Sequence, residues 1–242
     1  MPGISIYDLF FSPQQQQQRQ KSAGSCSSQH ALISGPPNCG KTSLLLQFAY
    51  NHAMNKDSIV TFICKQHAFD VKPPFLSQGV QPDSDVFTRI TIKYVHDYEE
   101  LLKYFAAFHV QSELPRAVII DDFYDLFDER KCHERFGHMR ARETAMVKTL
   151  ALAHDAIIYA NESLEPQYEC KLLVSDTHTG DGPRLQYIYQ RWLHQIFTIR
   201  SLDNSRFSVS GGKVLQKGTH DDSRAVYSLV QNTLVLEQFD CH

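Results

Sequence analysis

The sequence predicts an α/β protein whose mainly parallel central sheet carries helices on both faces and an antiparallel β extension at its C-terminal end. Three observations predict it. A glycine-bounded turn at Gly35–Gly40 lies between an apolar strand and a helical pattern. The run Ala117–Ile120 is bare of polar residues, as in a strand buried on both faces. Strand-like and helix-like segments alternate through most of the chain, the pattern of crossover connections in a parallel sheet.

Taken in order, residues 1–29 read as a flexible tail. Ile4, Tyr7, Leu9, Phe10 and Phe11 form a short apolar cluster, followed by Pro13 and five glutamines at 14–18. The glutamine run needs no packed partner, and the cluster either docks on another protein or packs on its own domain. Residues 30–200 carry the core. His30–Ser34 is a strand, and Leu44, Leu45, Phe48 and Ala49 line one face of a helix over 43–54. Strands are expected at Ser58–Ile63 and Phe87–Tyr94, an amphipathic helix at Tyr98–His109, and the buried strand at Ala117–Ile120. A helix is expected at Arg140–His154 and another buried strand at Ala156–Tyr159. Beyond 160 the pattern weakens to a strand-like piece at Lys171–Val174, a helix at Leu185–Leu193 and a strand at Gln195–Ile199. Residues 201–242 form a β extension of the same domain, in which Ala225–Val230 and Thr233–Glu237 flank Gln231-Asn232 as a hairpin.

Composition narrows the function classes. The chain has 242 residues, with 24 Lys and Arg against 27 Asp and Glu, a net charge of −3. Bulk charge therefore does not attract nucleic acid, and only a local basic groove remains open to that role. The longest apolar runs, such as Ala156–Ala160, are far too short to cross a bilayer, so no membrane association is expected. The N-terminus lacks the layout of a secretory signal. Six scattered cysteines without a C-x-x-C pair fit reduced thiols in a cytosolic or nuclear compartment. Cys132, His133 and His138 lack the spacing of a standard zinc site.

Gly35, Pro36, Pro37, Asn38, Cys39, Gly40, Lys41 and Thr42 match the G-x-x-x-x-G-K-[ST] phosphate loop, the Walker A pattern, with Ser43 following in the helix. Gly35 and Gly40 permit backbone geometry that a Cβ would block. The loop amides and helix N-terminus then face a phosphate, so ATP is the expected ligand. Lys41 supplies a mobile ammonium to the β- and γ-phosphates, and Thr42 offers its hydroxyl to Mg²⁺. Asp121, at the end of the Ala117–Ile120 strand, is the expected acid on the metal's shell. Its neighbour Asp122 either caps residues 123–127, the preferred reading, or orients the attacking water. Phosphoryl transfer also calls for a cation against transition-state charge. Arg200, Arg206, Lys213 or an arginine of another subunit are the candidates.

This order of elements resembles the RecA-type recombinase ATPase core over residues 30–200. Within that family, Arg89-Ile90-Thr91-Ile92-Lys93-Tyr94 with its following helix, and Gln190-Arg191-Trp192-Leu193, are similar to the recombinase paralogues that pair with SWIM-domain proteins in Shu-type complexes. The resemblance implies an ATP-binding, single-stranded-DNA-associated accessory factor of homologous recombination repair. Such a factor helps recombinase filaments assemble or persist, is nuclear, and is partnered by a SWIM-domain protein and by recombinases or their paralogues. It also places Gln66 where active members carry a glutamate base. An amide orients water without taking its proton, so a weak, DNA-stimulated hydrolysis is the expectation unless Asp122 or Glu162 substitutes. Asn161-Glu162 falls where the family has a γ-phosphate-sensing Asn-Gln pair. No Phe-x-x-Ala-type peptide precedes the core, so filament self-assembly is not expected.

The family's first DNA loop corresponds to Asp128–Arg142, where Arg130, Lys131, Arg135, Arg140 and Arg142 outnumber three acids. Local cations of this kind can track a phosphate backbone, although a solvated helix with internal ion pairs gives the same pattern. The second loop corresponds to 163–184, with Tyr168, Lys171, His178 and Arg184. Two other readings stay open: a nucleotide-dependent scaffold that never touches DNA, and another P-loop phosphotransferase. A GTPase is disfavoured, because no Asn-Lys-x-Asp occurs and Asn55-Lys56-Asp57 is the nearest string.

Overall fold

The apolar-rich central segments His30–Gly35, Val60–Cys64 and Ala117–Ile120 form strands that are buried throughout. The computed structural model describes residues 3–11, 29–137, 140–165, 168–180, 182–183, 185–213 and 223–240. The strands are β1 (His30–Gly35), β2 (Val60–Cys64), β3 (Leu76–Ser77), β4 (Ile90–Tyr94), β5 (Ala117–Ile120), β6 (Lys171–Thr177), β7 (Gln195–Ser201), β8 (Arg206–Lys213), β9 (Arg224–Val230) and β10 (Thr233–Asp240). The helices are α1 (Ile6–Phe10), α2 (Lys41–Ala53), α3 (Gln66–Val71), α4 (Tyr98–Ala106), α5 (Glu129–Phe136), α6 (Ala141–Ser163) and α7 (Gln186–Trp192).

All ten strands join one mixed sheet in the order β3-β10-β9-β8-β7-β1-β6-β5-β2-β4. From β7 to β4 the six strands are parallel. β8, β9 and β10 add antiparallel, and β3 pairs parallel with β10. The fold is thus α/β with a mostly parallel sheet and an antiparallel extension. Its hairpin turns at Gln231-Asn232, both left-handed (φ 50° and 60°), as a two-residue turn between twisted strands requires.

Alternation along the strands divides the core. Leu32, Val118, Ile120, Leu172 and Val174 face α4, α6 and α7. Ala31, Ile33, Ile119 and Leu173 face α1 and α2. The ends of β1, β5 and β6 therefore fall together at one end of the sheet, where open α/β sheets bind ligands.

Two expectations are corrected here. Ala156–Tyr159 is not a strand but part of α6, which runs nine residues past His154. Ala145, Met146, Thr149, Leu150, Ala153, Ala156, Ile157 and Ala160 are buried along one helical face, while Ile158 and Tyr159 are exposed. The helical period spans the whole segment, and a local cluster of β-branched residues imitates a strand. The strand that follows is β6, so the Lys171–Val174 piece lies at the sheet centre between β1 and β5.

The tail is likewise only partly separate. Ile4, Ile6 and Leu9 are fully buried, Asn51 Nδ2 donates to the Asp8 carbonyl at 2.9 Å, and Phe239 contacts both Tyr7 and Phe11. The apolar cluster packs on its own domain. The glutamine run and the rest of 12–28 lie outside the described residues.

Candidate functional site

The loop 35–42 leaves β1 and enters α2 through Gly40, which is left-handed at φ 82°. Gly40 offers no side chain to the first-turn amides of α2, so those donors face the loop. A Cβ at Gly40 would meet the Leu229 side chain at 3.0 Å. One at Gly35 would lie 2.8 Å from both Cys39 Sγ and Ile199 Cβ. From behind, the Tyr227 hydroxyl donates to the Cys39 carbonyl at 2.6 Å, so the C-terminal hairpin braces the loop.

Lys41 is buried, its Nζ donating to the carbonyls of Pro36 at 3.0 Å and Gly35 at 3.4 Å. Thr42 Oγ1 donates to Asp121 Oδ2 at 2.8 Å, and Ser175 Oγ donates to Asp121 Oδ1 at 2.6 Å. The register explains the second bond, because Ile120 pairs with Val174 and the next residues meet across the strands. Burial, with Asp122 adjacent, pushes the Asp121 carboxyl up to about 6 against the opposing pull of Ser175, Thr42 and Lys41. A dication beside these oxygens would favour the ionised form.

Asp122 does not act as a cap. Its backbone is left-handed (φ 45°) and its side chain makes no cap hydrogen bond. Instead Asp122 Oδ1 accepts from Thr177 Oγ1 at 2.7 Å, and its amide donates to Ser175 Oγ at 2.9 Å. The carboxylate is thereby turned toward β6 and a cavity of about 1040 Å³. Residues 37–43, Asp121, Asp122 and Thr177 form the floor of that cavity, and residues 68–69, 71–80 and 82 with Leu229, Asn232 and Thr233 form its walls. Gly35 and Pro36 underlie the loop rather than line the cavity. The Ser43 hydroxyl accepts from the Phe75 amide at 2.9 Å and so anchors the wall.

The structure does not bring every expected residue here. Gln66 is exposed at the first turn of α3 and is not among the lining residues. Asn161 lies in α6, where its Nδ2 donates to Gln29 Oε1 at 2.9 Å and its Oδ1 accepts from the Cys170 amide at 2.6 Å. These contacts tie α6 to the start of β6, at the opposite end of the sheet, so Asn161-Glu162 does not face the loop. The end of β6 takes that position instead. There Ser34 Oγ and His178 Nδ1 share a hydrogen bond of 2.6 Å. The buried Asp176 accepts from the Thr177 amide, and burial, with Asp122 adding, pushes its carboxyl up to about 7. Ser175, Asp176 and Thr177 were discoverable as the polar continuation of the Lys171–Val174 strand. Arg200 and Arg206 do not line the cavity; Arg206 pairs with Glu237 and Asp203. The Lys213 side chain lies outside what is described.

The basic segment is mainly α5, capped by Asp128 and ended by left-handed Gly137. Lys131 pairs with Asp97 at 2.8 Å, and Arg135 pairs with Glu99. Arg142 lies over the Tyr124 ring, while Arg130 and Arg140 are exposed. In the second segment, Tyr168 stacks on Arg116 at 3.4 Å and Lys171 is buried at the start of β6, so neither belongs to the loop after β6. His138 and Arg184 lie outside the described residues, among which no group of His, Cys, Asp and Glu could hold a metal by itself. No described helix is long and apolar enough to cross a membrane. No protein-family model matches the sequence, and no curated protein matches it.

Proposed function

We propose that the chain is a Mg·ATP-binding protein with a RecA-like P-loop core, acting as an accessory factor of homologous recombination on single-stranded DNA beside a SWIM-domain partner. One observation carries the nucleotide reading: the 2.8 Å contact between Thr42 and Asp121 beside a glycine-bounded loop at the carboxyl ends of parallel strands. Thr42 and Asp121 would hold Mg²⁺ between them, directly or through water. The loop amides and Lys41 would bind the phosphates. Bound Mg²⁺ would draw negative charge from the transferring phosphoryl group. The fit is supported by two glycines at which a Cβ would strike the Cys39, Ile199 or Leu229 side chains packed on the loop, and by a carboxyl whose ionisation is costly without a cation.

Asp122 is the acid best placed to orient water, since it lines the cavity and Gln66 does not. Turnover would then depend on Asp122 and not on Gln66. Titration with Mg·ATP should show binding by the wild type and a large loss in Lys41→Ala; equal affinities would remove the assignment. Turnover measured with and without single-stranded DNA tests the recombination reading, which predicts stimulation. Lys131 and Arg135 are paired internally, so Arg130 and Arg140 are the cations expected to carry DNA contact. Loss of strand binding should therefore be larger in Arg130→Ala/Arg140→Ala than in Lys131→Ala.

Those internal pairs also favour a second reading, a nucleotide-dependent scaffold whose α5 face meets protein rather than DNA. Tight ATP binding with no DNA binding and no turnover would select it.

A further inference from the structure

Between β2 and β4 the chain takes an unusual route. Leaving Cys64 near one edge of the sheet, it passes over the N-terminus of α2 and pairs as β3 with β10 at the far edge. It then returns to add β4 beside β2. Residues 66–82 thus form a strap across the phosphate-loop motif. Two contacts pin it, the Phe75 amide to Ser43 Oγ at 2.9 Å and the Gln78 amide to the Leu234 carbonyl at 3.0 Å, and Tyr50 Oη with Ser84 Oγ at 3.3 Å holds the chain just beyond it. The strap walls the 1040 Å³ cavity.

One cation on this strap faces the loop. Lys72 Nζ donates to Asn38 Oδ1 at 2.7 Å, across 34 residues of sequence, and Lys72 lines the cavity. Among the described lining residues Lys41 and Lys72 are the cations, opposed by Asp121 and Asp122. A magnesium triphosphate adds net negative charge to a cavity whose own charges cancel. A second ammonium at the loop's outer rim would answer that charge beside Lys41, whose Nζ rests on the Gly35 and Pro36 carbonyls.

We infer that Lys72 is a polyphosphate-binding residue of the nucleotide site, held over the phosphate loop by the 66–82 strap and exchanging its Asn38 contact for a phosphate oxygen. This rests on the nucleotide reading above. It supplies within the chain the second cation that Arg200 and Arg206 do not provide. Because the contact is to charge and not to the base, it distinguishes ligands by phosphate number. The ammonium gains most from a triphosphate and less from a diphosphate.

The test is equilibrium binding of Mg·ATP and Mg·ADP to the full chain and to Lys72→Gln, Lys72→Arg, Lys41→Ala and Lys56→Gln. The last removes one exposed charge away from the cavity, and melting curves check that each variant folds. Lys72→Gln should weaken ATP about tenfold, a loss typical of one charge-assisted contact. It should weaken ADP by less and flatten the dependence of ATP affinity on KCl. Lys72→Arg should retain most of the affinity and Lys56→Gln all of it. Unchanged ATP affinity in Lys72→Gln, with Lys41→Ala still defective, overturns the role of Lys72 and leaves the nucleotide reading standing. So does an equal loss in Lys56→Gln. No binding by the wild type overturns both.

Discussion

Replacing Asp121 by Asn should make the protein more stable while removing its Mg·ATP binding. The carboxyl is buried beside Asp122, and its ionisation is pushed from 3.8 up to about 6. Each unit corresponds to about 1.4 kcal/mol, so at pH 7.5 the folded chain holds this charge at a cost of up to about 3 kcal/mol relative to the unfolded chain. The sign follows from the raised value: the stability contribution is full below 3.8 and is lost as pH rises through about 6. Asparagine keeps the shape and can accept from Ser175, but its amide must reverse the Thr42 hydrogen bond, which returns about 1 kcal/mol. A net gain of about 1–2 kcal/mol at pH 7.5 is expected. Urea denaturation of both proteins at pH 7.5 and pH 4.5 measures it. At pH 4.5 the folded wild-type carboxyl is protonated, so the advantage should largely vanish. A variant less stable than wild type at pH 7.5, or an advantage equal at both pH values, would refute the electrostatic argument. Retained Mg·ATP affinity in Asp121→Asn would remove Asp121 from the metal's shell.

Gly35→Ala should lose about 1–3 kcal/mol of stability and weaken ATP binding, because the new methyl sits 2.8 Å from Ile199 Cβ and from Cys39 Sγ; denaturant midpoints and nucleotide titration report both. Leu9→Ala should cost about 2–4 kcal/mol in the isolated chain, since Leu9 is fully buried against α2. A midpoint equal to wild type would return the N-terminal cluster to a partner-docking role. His30, buried and close to His154 and His194, is pulled down to about 4, chiefly by burial. Its stabilisation is full above 6.5 and declines as pH falls toward 4, so His30→Gln should show a shallower loss of melting temperature between pH 6.5 and 4.5 than wild type.

Much of the architecture was legible because it rests on local pattern. Leu32 and Val118 sit in uninterrupted apolar runs that become central strands, Leu44 and Phe48 mark the inner face of α2, and Gln231-Asn232 marks the hairpin. The loop 35–42 was legible through residue types that short-range geometry demands. Asp121 was legible because an acid ending a buried strand stands out. Local pattern misled where a short apolar string could serve two periods. Ile157-Ile158-Tyr159 resembles a strand, yet the burial of Ala145 through Ala160 at helical spacing decides for α6.

The sequence by itself determined an α/β sheet, a phosphate-loop motif ahead of a helix, and an acid at the end of a neighbouring buried strand, since each is set by residues a few positions apart. Tertiary structure alone decided that Ser175 and Thr177 orient the two aspartates, that Tyr227 and Leu229 brace the loop, that Asp97 and Glu99 occupy Lys131 and Arg135, and that Lys72 reaches Asn38. Those pairs are separated by 34 to 189 residues of chain and follow from strand order and register. Neither composition nor periodicity encodes which distant side chains a shared sheet edge will bring within hydrogen-bond reach.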